Sequence, residues 1–213
     1  WILNSPQGQE EARQANNHST AHDAQVIAFA MYAGNMKVAR EVINAIPRKR
    51  LFTQIEPDGK QPHELRRTLA FGYSQFNLSH FIDIFMMARK IGISIDNATS
   101  EDGRSFYKAM DFLVPYVGKD VKAWPYQQIS EWKYKQQEFC KDLYRTFLLN
   151  PERKDYLKLY KTHRIIDWKD RFNLLWMEAD DVNNAYAFAC GQLQFAMQCA
   201  AKARKEADNQ CKH

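Results

Sequence analysis

Apolar residues recur every three or four positions along most of this 213-residue chain, which is the spacing of a single buried helix face. The first strong example is residues 17–35, NHSTAHDAQVIAFAMYAGN, which Gly34 is expected to end. The buried face predicted for this helix consists of Ala24, Ile27, Ala28 and Met31. A second helix, MKVAREVINAI, is predicted to start at residue 36 and to stop before Pro47.

Later segments of the chain show the same helical spacing. They are residues 63–92, 102–118, 129–150, 151–162 and 179–207. The first of them is predicted to be one long helix, or two helices with a break near Gly72. Pro115 is expected to break the second, and Pro151 suits the first turn of the fourth.

Only one short segment is a candidate for extended structure. This is RLFTQI, residues 50–55, and the Pro-Asp-Gly sequence that follows within residues 56–62 predicts a turn. Long helices joined by short loops predict an all-α fold of stacked antiparallel hairpins. No repeat of fixed period is present, which disfavours a consensus solenoid.

The composition narrows the class of protein without identifying it. Hydrophobic residues make up 45% and charged residues 26%, as in an ordinary globular domain, and 8 Gly with 7 Pro argue against a turn-dense barrel. No run of 18 apolar residues is present, which excludes a membrane-spanning helix. The net charge of +5 favours anionic partners but is too small to indicate nucleic acid.

The cysteines and the glycosylation sequons are relevant to the question whether the protein is secreted. None of the cysteines belongs to a Cys-x-x-Cys pair, which disfavours a zinc knuckle or a redox motif, and leaves buried free thiols or one disulfide in the tail as alternatives. The cysteines are Cys140, Cys190, Cys199 and Cys211. Asn-x-Ser/Thr sequons begin at Asn17, Asn77 and Asn97 and hint at secretion. Because the chain begins with Trp1 rather than Met, we expect a processed product or a fragment.

Asn16, Asn17 and His18 stand at the predicted start of the first strong helix. Asparagine is a good helix cap, and a helix N-terminus attracts anions, so this position indicates either simple capping or an anion site. His18 and His22 share a helix face, but Ser19 stands where a zinc-protease motif requires glutamate. We therefore expect no metal and no cofactor.

A second candidate site follows the predicted turn, where Glu64, Arg66, Arg67 and Tyr73 come close together in the sequence. A cation beside a phenol favours the phenolate, which would suit acid–base chemistry. Arg67 and Tyr73 are six residues apart, so we expect a helix bend at Gly72 to bring them together. The alternative is an ordinary helix with a buried tyrosine and surface arginines.

Taken in order, these segments resemble the alginate-lyase-domain family, whose members are polysaccharide lyases with an (α/α) toroid fold. The shared pattern is a Trp-x-Leu opening, Ser-Pro-x-Gly, Asn-Asn-His, Asp-x-Gln, Gln-Ile-x-Pro-Asp-Gly-x-Gln-Pro, Glu-Leu-x-Arg-Thr and Tyr-Ser-x-Phe-Asn-Leu. These motifs lie within residues 1–92. The resemblance implies a secreted glycoprotein that acts on an anionic polysaccharide and requires no nucleic acid, membrane or cofactor.

The resemblance also implies that the chain starts inside the family domain. We expect residues 1–213 to form a single helical domain, the C-terminal part of an incomplete toroid whose N-terminal helices lie upstream of Trp1. A separate chain is an alternative source of that upstream half.

The resemblance assigns catalytic roles to Asn17, His18, Arg67 and Tyr73. Asn17 and Arg67 would neutralise the carboxylate of a uronic acid, and Tyr73 would act as the acid and, in a syn elimination, also as the base. His18 is the alternative base. The implied reaction is β-elimination on an alginate- or glucuronan-like polymer.

Substrate contacts are expected from His22, Gln25, Arg66 and His63. Gln25 belongs to the Asp-x-Gln motif, whereas the family pattern leaves the positions of Arg66 and His63 variable. Relatives carry aromatic residues at the positions of Ala21 and His22, so His22 would either orient His18 or replace a sugar-stacking contact. Two alternatives to an enzyme are a non-catalytic carbohydrate-binding or structural protein on the same scaffold, and a helical interaction domain.

Overall fold

The computed structural model describes residues 1–165, and all of its helices belong to the first of two compact units, Trp1–Arg164 and Ile165–His213. The helix predicted at residues 179–207 and the cysteines Cys190, Cys199 and Cys211 lie outside the described residues. The expectation of a single domain over residues 1–213 stays a prediction. No helix in the described part is long and apolar enough to cross a membrane.

Residues 1–165 form nine α-helices, short π-helical and 3₁₀ turns, and no strand, so the predicted all-α class is confirmed. The α-helices are α1 (Pro6–Arg13), α2 (Asn17–Tyr32), α3 (Met36–Ile46), α4 (Phe52–Gln54), α5 (Pro62–Leu65), α6 (Ala70–Lys90), α7 (Phe106–Leu113), α8 (Trp132–Leu149) and α9 (Lys154–His163).

The ends of α2 and α3 follow from local capping. The Asn16 side chain accepts a hydrogen bond from the His18 backbone and starts α2, while Gly34, at φ 72°, follows its end. The Asn35 side chain caps α3. These predicted boundaries are confirmed, but Ala28 is exposed, so its predicted burial is wrong. The buried residues of α2 form a broader face that includes polar groups: Asn17, Ser19, Thr20, His22, Asp23, Ala24, Val26, Ile27 and Ala30.

The predicted extended segment at residues 50–55 is wrong. Pro47–Leu51 forms a π-helical turn that leads directly into α4. Helical spacing places Leu51 and Ile55, four residues apart, in the core, where both are fully buried. The same turn lets Arg50 Nε donate to Asp23 Oδ2 at 2.7 Å, so a tertiary ion pair favours the helical conformation.

Two helices with a break between them are observed, which was one of the two predicted alternatives, but the bend expected at Gly72 itself is wrong. The chain leaves the helical conformation at residues 66–69, between α5 and α6, and Gly72 lies inside α6. The break still brings together the two residues for which a bend was expected, since Arg67 Cζ lies 4.0 Å from the ring centroid of Tyr73. The turn predicted within residues 56–62 is confirmed, with Gly59 at φ 88°.

Helices α6 and α8 lie side by side and run in the same direction. Gly72 lies against the stem of Lys135, Gln75 Nε2 donates to Asp142 Oδ2 at 2.7 Å, and Asp83 pairs with Arg145, so contacts advance along both helices together. Helix α9 returns against α8, because Tyr144 stacks on Tyr160 and Gln137 Nε2 donates to the His163 carbonyl. Helix α8 is thus followed by a returning partner, as in the hairpins of an (α/α) toroid.

Helix α2 runs in the same direction as α6. Thr20 Oγ1 and Asn77 Nδ2 both donate to Gln54 Oε1, each at 2.9 Å, while residues from the first turns of both helices meet at one cavity. The short connection at residues 33–35 returns the chain as α3. The N-terminal ends of α2 and α6 therefore open on the same face of this unit, and that face holds the candidate site.

Candidate active site

An open cavity of about 500 Å³ lies where α1 and the first turns of α2 and α6 meet. Its walls hold most of the residues selected from the sequence, together with residues that the sequence did not single out. The lining residues are Trp1, Ile2, Gln7, Gly8, Glu11, Asn17, His18, Ala21, His22, Gln25, Arg67, Tyr73 and Phe76. The structure thus brings together the four residues given catalytic roles, and those roles stay a prediction.

Asn17 is fixed at the cavity by a buried glutamate from α5. Its backbone N–H donates to Glu64 Oε1 at 2.6 Å, and its Nδ2 donates to Glu64 Oε2 at 2.7 Å. Burial raises the pKa of the Glu64 carboxyl, and the hydrogen bonds from Asn17 and the charge of Arg67 only partly oppose this rise. Two bonds to one carboxylate leave the Asn17 amide with a single orientation, with one N–H still free of Glu64.

His18 is paired with Glu11 of α1. Its Nδ1 lies 2.8 Å from Glu11 Oε2, and both side chains are about half exposed. Since the carboxylate can only accept, Nδ1 carries the proton, and Nε2 is the nitrogen that a neutral ring offers as a base. A glutamate one helix away from the histidine gives no signal in the sequence, because nothing in the spacing of the two residues predicts the contact.

Arg67 and Tyr73, which also line the cavity, form a stacked pair. The guanidinium lies 4.0 Å from the centre of the phenol ring, within the range of a cation–π contact. Both side chains are half-buried, and no group in residues 1–165 forms a hydrogen bond with the Tyr73 hydroxyl. The hydroxyl is therefore available for proton transfer to a bound ligand.

His22 is held by the protein on both sides. Its Nε2 lies 3.2 Å from the Ile2 carbonyl oxygen, and its Nδ1 lies 3.2 Å from Asp23 Oδ1. Both partners are acceptors, and the ring can donate a hydrogen bond to either of them. These contacts tie the first residues of the chain to the cavity wall, and the ring nitrogens face Ile2 and Asp23 rather than His18.

Two of the expected substrate contacts lie elsewhere. His63 and Arg66 are exposed and do not line the cavity, whereas Gln25 and His22 do. Two aromatic residues that the sequence reasoning did not select do line it, namely Trp1, 82% exposed, and Phe76, 42% exposed. Exposed rings at the cavity offer stacking surfaces of the kind that the replacement of family aromatics near His22 removes.

Two features of the cavity favour an anion, although Glu11 also lines it. The N-terminus of α2 points its dipole at the cavity, and Arg67 adds a full charge, so an anionic group is favoured there.

Within residues 1–165 no group of three or more histidine, cysteine or acidic residues could hold a metal ion. Cys140 is a buried free thiol whose pKa burial raises to about 12, and it lies outside the cavity lining.

Comparison with known proteins identifies the family of the chain. Residues 1–124 match a protein-family model described as alginate lyase, and no curated protein matches. A crystal structure of an alginate lyase from Bacteroides ovatus is similar to this chain, with 46% sequence identity and a TM-score of 0.80. The match covers 84% of this chain and 47% of that one, so the chain spans about half the length of that protein.

Proposed function

The chain belongs to the alginate lyase family, and from this premise we propose that it cleaves a uronic-acid-containing polysaccharide by β-elimination. The proposal rests on one observation above all: Asn17, His18, Arg67 and Tyr73 line a single cavity although α2 and α6 are far apart in the sequence. The substrate class is an alginate- or glucuronan-like polymer.

The first requirement of this reaction is to neutralise the uronate carboxylate. The proton on C5 of the sugar is only weakly acidic beside a charged carboxylate, and donors aimed at the carboxylate stabilise the enolate-like transition state. In our assignment the free N–H of Asn17 and the guanidinium of Arg67 supply these donors. Glu64 acts as a positioning residue, because it holds the Asn17 amide in the required orientation.

The second requirement is a pair of proton transfers. A base removes the C5 proton, the electron pair forms the C4–C5 double bond, and the C4–O4 bond breaks as O4 receives a proton. We assign protonation of O4 to the Tyr73 hydroxyl, which has no protein partner in residues 1–165. The base is Tyr73 itself in a syn elimination, or His18 through Nε2, which Glu11 leaves unprotonated in the neutral ring.

A lyase assay with matched variants tests the proposal. The unsaturated product absorbs in the ultraviolet, so turnover on alginate and glucuronan can be followed directly. Tyr73→Phe removes only the hydroxyl and should lower kcat at least about a hundredfold with little change in substrate affinity. Tyr32→Phe is the control, because Tyr32 is exposed and does not line the cavity.

Two further variants separate the roles. Arg67→Ala should weaken both binding and turnover, because its charge acts on the substrate carboxylate before and during the reaction. His18→Ala should abolish activity if His18 is the base, and should leave a measurable rate if Tyr73 carries both protons. Wild-type turnover by Tyr73→Phe would contradict the acid assignment.

The competing function is carbohydrate binding without cleavage. The replacement of family aromatics near His22 favours it, and the cavity would then hold a polyuronate that is not cut. Binding of alginate by calorimetry, with no unsaturated product under any condition, would support this alternative. A protein that neither binds nor cleaves polyuronates would contradict both functions and leave a helical interaction domain.

We also propose that the protein is secreted, since a polymeric substrate is met outside the cell. Detection of the native protein in the extracellular fraction tests this, and its confinement to the cytoplasm would contradict it.

A further inference from the structure

A second cavity adjoins the candidate site on the far side of Tyr73. It has a volume of about 250 Å³ and shares Tyr73 and Phe76 with the larger cavity. The described residues that line it are Leu69, Gly72, Tyr73, Phe76, Glu131 and Lys135. Pockets that enclose whole ligands usually measure about 300–1,000 Å³, so this cavity suits one part of a ligand that continues past Tyr73.

Lys135 is the cation of this second cavity, and its stem has a defined seat. Its Cγ, Cε and Cδ atoms lie so near Gly72 that a Cβ at residue 72 would approach them to 3.1, 3.2 and 3.3 Å. Because Gly72 has no side chain, the half-buried stem of Lys135 can pack directly against the backbone of α6. The ammonium group lies 5.1 Å from the ring centroid of Tyr134.

Lys135 forms no ion pair with any carboxylate of residues 1–165. Other lysines of this unit do, since Lys60 pairs with Asp58 and Lys141 pairs with Glu138. Its charge is thus available to an incoming anion.

The backbone at this end of α6 does not offer an alternative anion site. The N–H groups of Phe71 and Gly72 both donate to Gln128 Oε1, at 3.0 and 3.3 Å. A glutamine side chain therefore already occupies the donors that a helix N-terminus would present. Of the groups lining the second cavity in the described part of the chain, Lys135 is the one suited to hold a carboxylate.

We propose that this cavity is a second uronate site, in which Lys135 binds the carboxylate of the sugar adjacent to the one held at Tyr73. The proposal rests on the function proposed above. Tyr73 and Phe76 form the wall between the two sites, so consecutive sugars of one polymer would occupy them.

Substitution of Glu131 should change the binding affinity in the direction opposite to substitution of Lys135. It lines the same cavity, one helical turn before Lys135, and has a left-handed backbone with φ 60°. Its carboxylate repels a uronate in the cavity, so its removal should strengthen binding while removal of Lys135 weakens it.

The experiment measures binding of alginate and glucuronan tetrasaccharides by calorimetry in a Tyr73→Phe background, where cleavage does not interfere. Lys135→Met keeps the apolar stem against Gly72 and should weaken affinity about fivefold at low salt. Glu131→Gln should tighten binding about twofold. Lys90→Met is the matched control, because Lys90 is exposed at the opposite end of α6, and it should have no effect.

The dependence of binding on salt and on the substrate carboxyl groups provides a further test. The effect of Lys135→Met should disappear at high salt and with a tetrasaccharide whose carboxyl groups are reduced to alcohols. With Tyr73 intact, Lys135→Met should raise KM and leave kcat nearly unchanged. Equal affinities of Lys135→Met and the parent protein at low salt would overturn this site alone, whereas a parent protein that neither binds nor cleaves polyuronates would overturn the proposed function with it.

Discussion

Helix α6 meets its two neighbours through different chemistry. Towards α2 it uses an amide layer, defined as Thr20, Gln54, Gln61 and Asn77, in which Asn77 Nδ2 donates to Gln54 Oε1 at 2.9 Å and to Gln61 Oε1 at 2.8 Å. Towards α8 it uses an aromatic cluster, defined as Phe71, Trp124, Trp132 and Phe139, in which the other three rings meet Phe71 at centroid distances of 5.4, 5.0 and 5.8 Å.

The two sides of α6 are expected to have different roles: the amide layer positions α2 against α6, and the aromatic cluster contributes most to the stability of the fold. Hydrogen bonds are directional, so the amide layer fixes the rotation and register of α2 against α6 and thereby aligns Asn17 and His18 with Tyr73. Aromatic burial contributes more free energy but tolerates small rotations. We therefore expect damage to the cluster to reduce stability, and damage to the amide layer to reduce activity more than its loss of stability explains.

Phe139→Ala should give the largest effect on stability. Phe139 is fully buried in the aromatic cluster, and such truncations cost about 3–5 kcal/mol in the free energy of unfolding. Urea denaturation measures this loss. The fraction that remains folded should keep a nearly normal kcat, and a kcat that falls in parallel with stability would break the comparison.

The interface between α6 and α8 also contains a buried carboxylate, Asp142 of α8. Burial raises the pKa of Asp142 to about 6, although the charge of Arg145 opposes the rise. A raised pKa means that the folded state binds the proton more tightly, so this group's contribution falls as pH rises from about 4 to about 6. Asp142→Asn removes the dependence. The stability of the wild type relative to Asp142→Asn should decrease by up to about 3 kcal/mol across that range, as followed by urea midpoints, and a constant difference would contradict the assigned cause.

Gln54→Leu tests the amide layer at similar side-chain volume. It leaves the Asn77 amide, the Thr20 hydroxyl and other buried groups without their Gln54 partner, which costs about 1–3 kcal/mol. Turnover should fall further than stability, because α2 loses its register against α6. Thermal denaturation and kcat on the same samples measure both quantities, and unchanged kcat in the folded protein would show that the layer has no positioning role.

Glu64→Gln is the mildest change and acts at the end of the amide layer next to the site. The amide keeps the shape of the carboxyl but cannot accept at both positions, so Asn17 loses one of its two hydrogen bonds. We expect kcat on polyuronate to fall about tenfold, equivalent to about 1.4 kcal/mol in the activation barrier. A kinetic assay with Arg66→Gln as the exposed control measures this, and equal effects of the two variants would remove the positioning role of Glu64.

Local sequence signals predicted most of this fold. Asn16, Gly34 and Pro47 marked helix ends through capping and turn chemistry that depend on neighbouring residues alone. The errors occur where distant contacts decide: residues 50–55 are helical because Leu51, Ile55 and the Arg50–Asp23 pair require it, and a short apolar run has no period of its own to show this.

Of the candidate site, only the residues that belong to sequence motifs could be predicted. Asn17, His18, Arg67 and Tyr73 were identified through matched order along the chain, and their placement around one cavity follows from the parallel course of α2 and α6. Glu11 and Glu64 were not assigned roles, because a positioning residue is recognised by the group that it touches. Trp1 and Phe76 were missed for the same reason, since exposure at a cavity is a property of the folded chain.

The burial of Asn17 and Asn77 decides how this protein can be produced in a glycosylating host. The Asn77 side chain is fully buried and uses both N–H groups of Nδ2 as donors to the amide layer, so an oligosaccharide on that nitrogen is incompatible with the native packing. Asn17 donates one Nδ2 N–H to Glu64 and lines the cavity, so an oligosaccharide there would occupy the candidate site. Asn97 is exposed and could carry one. Expression in a eukaryotic secretory pathway should therefore yield folded protein that is unmodified at Asn77, while chains modified there are retained as misfolded material and molecules modified at Asn17 have a blocked site.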